Sequence, residues 1–159
     1  MKRFRVYVDT SVFGGTEDDE FLGPSRAFFD RVKQGRFLVL TSELVVRELG
    51  RAPDNVRAVF DTLPEGAVES VAISKDVTDL ASAYIKAGAL GEASRSDAIH
   101  VAAATIAGAD LIVSWNFKHI VNFGRIKQFN GVSSLHGYAP IDIRSPLEVA
   151  YDDKEDEKI

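Results

Sequence analysis

Apolar positions along this chain come in short dense runs and in longer stretches with helical spacing, and the two kinds alternate. FRVYV at 4–8, rich in aromatic and β-branched residues, reads as a strand ending at Asp9. A Gly- and acid-rich stretch, GGTEDDEFLG, follows as a loop. A helix is expected from Pro24 to about Lys33 with Phe28, Phe29 and Val32 inward. FLVLT at 37–41 reads as a second strand. Ser42 then serves as N-cap of a helix through Leu49, stopped by Gly50 and Pro53. A helix over 54–62 ends at Pro64, VESVAI at 68–73 reads as a third strand, and SKDVTDLASAYIKAG as a capped helix closed by Gly88. Ser94 and Ser96 introduce the helical DAIHVAAATIAG, closed by Gly108. DLIVSW at 110–115 is the clearest buried strand; a helix around 119–129 and a short strand at 141–143 complete the pattern. Strands alternating with helices predict an α/β fold with a mainly parallel sheet.

Composition narrows this to an ordinary globular domain: 159 residues, 45% hydrophobic and 27% charged. We read one domain over 1–145 and an acidic tail over 146–159, expected to be disordered because its dense charge leaves little to bury. The N-terminal MKRFRVYVDTSV has no apolar core of a leader, and no long apolar run occurs, so neither a signal peptide nor a membrane span is expected. The absence of cysteine removes disulfides, zinc–thiolate sites and cysteine nucleophiles, and suits a reducing cytoplasm. The net charge of −5 argues against a basic nucleic-acid coat, although the last nine residues hold −3 of it and the remainder only −2.

Three carboxylates stand out from this background. Asp9 directly follows the first strand, at the sheet edge where α/β folds bind ligands, though an Asp before Thr and Ser is also an ordinary turn or cap. Glu48 falls on the apolar stripe of its helix with Leu44 and Val45, whereas Glu43 falls on the other side. A carboxylate there must be paired or bound to a metal, and Arg47 or Arg51 would serve as an ion-pair partner. Asp97 sits in the first turn of its helix, where the dipole favours any acid, but it shares a face with Val101, Ala104 and Gly108. Three such carboxylates can converge at one sheet edge. Oxygen-only ligation of this kind suits Mg²⁺ or Mn²⁺, ions that activate water and stabilise a phosphodiester under attack.

YVDTSV at 7–12, SELVVREL at 42–49, SDAIHVAAAT at 96–105 and IVSWNFKHI at 112–120 resemble, in order and spacing, the motif blocks of PIN-domain ribonucleases, in particular the VapC-type toxins of toxin–antitoxin pairs. The resemblance spans roughly residues 4–145. It implies a PIN-like fold with a central sheet of four to five strands flanked by helices, and a Mg²⁺/Mn²⁺-dependent endoribonuclease cleaving RNA with a metal-activated water. It also implies a small antitoxin protein as partner and, commonly, a homodimer. Asp9, Glu48 and Asp97 match the family's first three acids, as metal ligands and catalytic residues. At the fourth position many members carry Asp, where this chain has Asn116; an asparagine can ligate through its carbonyl or orient a water but brings no charge. Asp110 lies a strand length away, at the opposite edge, and cannot replace it.

Around these acids, Thr10 and Ser11 can hold a metal water or cap a turn. Arg95 is the candidate phosphate contact beside Asp97, ahead of Arg47, Arg51, Lys118 and His119. His100 reads as an orienter of Asp97 or as a core histidine with one hydrogen bond. Trp115 reads as a base-stacking or core ring, and Glu17–Glu20 as an extra ligand or a solvated loop. A HAD-like phosphatase would need Asp where Ser11 stands, and neither GxGxxG nor GxxxxGK[ST] occurs for a phosphate-binding module. The alternative that remains is a catalytically weak PIN domain acting mainly as a protein-binding partner.

Overall fold

The computed structural model describes residues 3–151. Five strands, β1 (Phe4–Val8), β2 (Phe37–Ser42), β3 (Val68–Val71), β4 (Leu111–Val113) and β5 (Asp142–Arg144), form one sheet in the order β3-β2-β1-β4-β5, every pair parallel. β1 lies at the centre. Val6, Tyr7 and Val8 are fully buried, so both of its faces are covered, as expected for the middle of a parallel sheet.

The helices are α1 (Thr10–Gly15), α2 (Leu22–Lys33), α3 (Glu43–Leu49), α4 (Asp54–Asp61), α5 (Lys75–Lys86), α6 (Arg95–Ile106), α7 (Phe123–Leu135) and α8 (Pro146–Val149). Phe28 and Phe29 of α2 point inward, and Phe28 stacks on Phe37 of β2. On the other face Tyr7, which pairs with Leu40 and Ile112 in the ladders, meets His100 of α6. Side chains alternate along strands, so α2 and α6 lie on opposite sides of the sheet. α6 buries Ala98, Val101, Ala102, Ala103 and Ala104, small side chains that let α5 pack closely on it.

The all-parallel sheet agrees with the expected fold, and the departures from the expected elements have local causes. The chain is helical immediately after Asp9: Val12 and Phe13 find the core, and the helix closes at Gly15. The second helix starts two residues before Pro24, which is tolerated in a first turn where N–H groups have no helical partner. The expected helix at 119–129 lies instead at 123–135. Asn122 caps it by accepting from the Arg125 N–H, while Ile120 and Val121 N–H both return to the Asn116 carbonyl in a preceding turn. The strand expected over 110–115 spans only 111–113, with the Ser114 N–H still donating to the Arg144 carbonyl of β5. Of the segment read as a tail, Pro146–Val149 form α8 against α2 and Ala150 is buried, so the folded part continues past 145. Residues 152–159, where disorder was expected, lie outside the described ones.

Candidate active site

The strand order turns between β1 and β4. Connections from β1 run towards β2 while β4 lies on the other side, which opens a crevice at the carboxyl ends of these two strands. A pocket of about 550 Å³ opens there, lined by Asp9, Thr10, Ser11, Glu48, Asp97 and Asn116, with Phe21 and Trp115 as its aromatic wall. Each acid arrives from a different element: Asp9 from the end of β1, Glu48 from α3 after the neighbouring β2, and Asp97 from the first turn of α6, which starts at this same edge.

Asp9 occupies the N-cap position of α1, yet its side chain makes no capping bond. Its Oδ2 instead accepts from Ser11 Oγ at 2.6 Å and from Ser114 Oγ at 2.8 Å. Those hydroxyls are fixed in turn, because Ser11 Oγ accepts from the Trp115 N–H and Ser114 Oγ from the Asn116 N–H. Glu48 follows the same scheme. Its Oε1 accepts from Thr10 Oγ1 and from His100 Nε2, both at 2.7 Å, and among the described residues no hydrogen bond falls on Oε2. Both carboxylates are thus hydrogen-bonded through one oxygen, and Asp9 Oδ1 lies 3.7 Å from His100 Nε2. Asp97 is held through both: Oδ1 accepts from Asn116 Nδ2 at 3.2 Å and Oδ2 from His119 Nδ1 at 3.1 Å.

Electrostatics separate the three. Burial pushes the Asp97 carboxyl up, the charge of Asp9 pushes it further, and His119 and His100 offset this only in part. Burial would raise Glu48 as well, but the hydrogen bond and charge of His100, the Thr10 hydroxyl and Arg51 outweigh it and hold Glu48 below the usual carboxylate range. Burial opposes charge on His100, yet Glu48, Asp9 and Asp97 together raise it above the ordinary histidine value.

Asp9, Glu48 and His100 offer ligand atoms that all lie within 4.8 Å of one another. His100 Nε2, however, faces a carboxylate, which only accepts, so that nitrogen carries a proton. The donors left for a cation are carboxylate oxygens, with Asp97 on the same pocket. This all-oxygen, mutually repelling set fits a hard dication.

Several expected roles change with this geometry. The Asn116 side-chain Oδ1 accepts from the His119 N–H at 2.9 Å, and its Nδ2 donates to Asp97. Arg95 is absent from the pocket lining; Glu92 holds it from two sides and Ser82 from a third. His100 makes two hydrogen bonds, not one, and orients Glu48, not Asp97. His119, considered for phosphate, holds Asp97. Trp115 is a wall residue, its Nε1 donating to Ser25 Oγ and its ring stacked on Phe21 at 4.1 Å. Asp18 of the acidic run lines the pocket, while its Oδ1 accepts from the Glu20 N–H. Asp110, at the far edge, accepts from the Arg5 N–H. Ser114 was not anticipated at all, since a serine ending a buried strand gives no signal of its own.

No family model and no curated protein matches the sequence. Among solved structures, the fold is similar to a chain of the crystal structure of VapBC2 from Rickettsia felis bound to a DNA fragment from their promoter. The TM-score is 0.57 at 13% identity, covering 89% of this chain and 98% of that one. The fold is PIN-like. At that identity the likeness speaks for the fold alone. No helix among the described residues is long and apolar enough to cross a membrane.

Proposed function

We propose that this protein is a Mg²⁺- or Mn²⁺-dependent endoribonuclease of the PIN type, the toxin member of a toxin–antitoxin pair, with Asp9, Glu48 and Asp97 as its working acids. The observation that carries the reading is the convergence of three carboxylates from three elements on one pocket, with the Asp97 carboxyl pushed up by burial and by Asp9. His119 and His100 relieve that repulsion only in part, and a dication would relieve it further.

When bound, such an ion supplies positive charge to a phosphodiester under attack and makes water more acidic. The protein's share is positioning. Ser11 and Ser114 hold Asp9 through Oδ2, Thr10 and His100 hold Glu48 through Oε1, and Asn116 and His119 hold Asp97. Asp9 and Asp97 act as principal ligands in this reading, with Glu48, kept ionised by its partners, as the third. Phe21 and Trp115 form an apolar wall that limits water on one side.

The same reading includes a small antitoxin protein as partner, a homodimer and a cytoplasmic setting. Likeness to a chain from a VapBC2 assembly supports the partner. The test offers purified protein structured RNAs and single-stranded DNA, with Mg²⁺, Mn²⁺ or chelator, beside an Asp9→Asn control. We expect internal cleavage of RNA that needs metal and disappears in the control. Asn116, neutral and tied to Asp97 and His119, favours a second reading, a weakly catalytic PIN domain that mainly binds a protein. Neither cleavage nor a melting shift at millimolar metal would leave only that second reading.

A further inference from the structure

Glu48 is the far end of a closed hydrogen-bonded ring that begins on its own helix. Ser42 caps α3, its Oγ accepting from the Val45 N–H. The same Oγ lies 2.8 Å from the Tyr7 hydroxyl of β1, which lies 2.7 Å from His100 Nδ1 of α6. His100 Nε2 reaches Glu48 Oε1 at 2.7 Å and returns the ring to α3. Ser42, Tyr7 and His100 are each no more than 1% exposed, so none of them touches a ligand from solvent.

The chemistry of the ring is directional. The carboxylate fixes the proton on Nε2, and the Tyr7 hydroxyl, able both to donate and to accept, matches Nδ1 in either protonation state. An imidazole anchored at both nitrogens cannot rotate, and the Glu48 oxygen it holds cannot turn towards the pocket. Asp97 and His100 stand three residues apart on α6, neighbours on one helical surface. One Asp-x-x-His segment thereby supplies one acid of the site and the support of another acid carried by a different helix.

We infer that His100, backed by Tyr7, is a positioning residue that presets Glu48 for a divalent cation; the inference rests on the cation reading of the pocket. Supporting residues of this kind typically change metal affinity by about 10–100-fold. Mn²⁺ is titrated calorimetrically into the full chain and into His100→Leu, His100→Gln and Tyr7→Phe, with thermal melts run on each. We expect His100→Leu to weaken Mn²⁺ binding by roughly 10–100-fold, Tyr7→Phe to weaken it less, and His100→Gln, which keeps an N–H donor, to recover part of the loss. The His100 Nε2–H proton should also be visible by NMR as slowly exchanging, and should shift in Glu48→Gln. Tyr7→Phe removes a single oxygen and keeps the test open if His100→Leu does not fold. Unchanged affinity in folded His100→Leu, or in Tyr7→Phe should that variant alone fold, would overturn the inference while leaving the cation site standing. Wild-type protein that binds no Mn²⁺ overturns the cation reading itself, and this inference with it.

Discussion

Asn116 donates through Nδ2 to Asp97 and accepts through Oδ1 from the His119 N–H, so an aspartate there would keep the second bond and lose the first. Two carboxylate oxygens would then face each other where 3.2 Å now separates amide from carboxylate. We predict that Asn116→Asp lowers the melting temperature in chelator and binds Mn²⁺ more tightly than wild type. A variant as stable as wild type without metal, or one binding metal no better, would refute this account. Glu48 and Glu43 give a sharper contrast on one helix, since Glu43 is exposed and Glu48 is held by Thr10 and His100. Glu48→Gln should reduce Mn²⁺ affinity by at least the roughly tenfold expected for a supporting residue, and Glu43→Gln should leave it unchanged; equal losses would sink the assignment. The stripe position of Glu48 was legible in the sequence because helical period alone separates the two glutamates. The partner of Glu48 was not. Local spacing suggested Arg47 or Arg51, and Arg51 does contribute charge, but the hydrogen-bonding partner His100 stands 52 positions away and only the fold brings it near.

At the scale of elements, the serine caps were legible and carry different consequences. Ser42 and Ser74 each accept from the N–H three residues on, at 3.4 Å in both cases, and open α3 and α5. Either serine replaced by alanine should cost about 0.5–2 kcal/mol. α3 carries Glu48 and Ser42 also bonds Tyr7, whereas no residue of α5 lines the pocket. Ser42→Ala should therefore lose both stability and Mn²⁺ affinity, and Ser74→Ala stability alone, as denaturant unfolding and metal titration would report. Loss of metal affinity in both would mean that global stability, not the cap of α3, governs the site. What the sequence hid at this scale is α1. Its glycines argue for a loop, but Gly15 is required for packing: a Cβ there would press on Ser25 Oγ and come within 2.7 Å of Trp115 Nε1. The register of α7 was hidden for a related reason, since Asn116 and Asn122 both look like starts of structure and only the turn between them shows which one caps the helix.

For the molecule as a whole, the alternation of strands and helices was enough to predict a parallel α/β sheet, because short strands separated by helix-length segments admit few other arrangements. The convergence of the acids follows from that topology. The electrostatic cost of gathering them does not follow from sequence, and it makes a prediction about pH. In metal-free protein the folded-state values of His100 and Asp97 are both raised. Each stabilises the fold fully below its unfolded value and loses that contribution as pH rises through the raised folded value. Glu48 is lowered and works in the opposite sense, contributing above its unfolded value and losing that contribution as pH falls through the folded one. The Glu48 loss is thus confined to acid, and the His100 loss begins above the ordinary histidine value of 6.5. In chelator, stability carried by the site should fall as pH rises above the ordinary histidine value. Saturating Mn²⁺ should oppose that fall, because deprotonated carboxylates bind the ion and occupancy stabilises by mass action, about 2.7 kcal/mol at 100 times Kd. At about 2–4 °C per kcal/mol for a domain of this size, the metal-induced rise in melting temperature is several degrees, and it should widen with pH. Paired melting curves across this range measure it directly. A metal shift that is constant or shrinks as pH rises would mean that these groups are not the ones the ion meets.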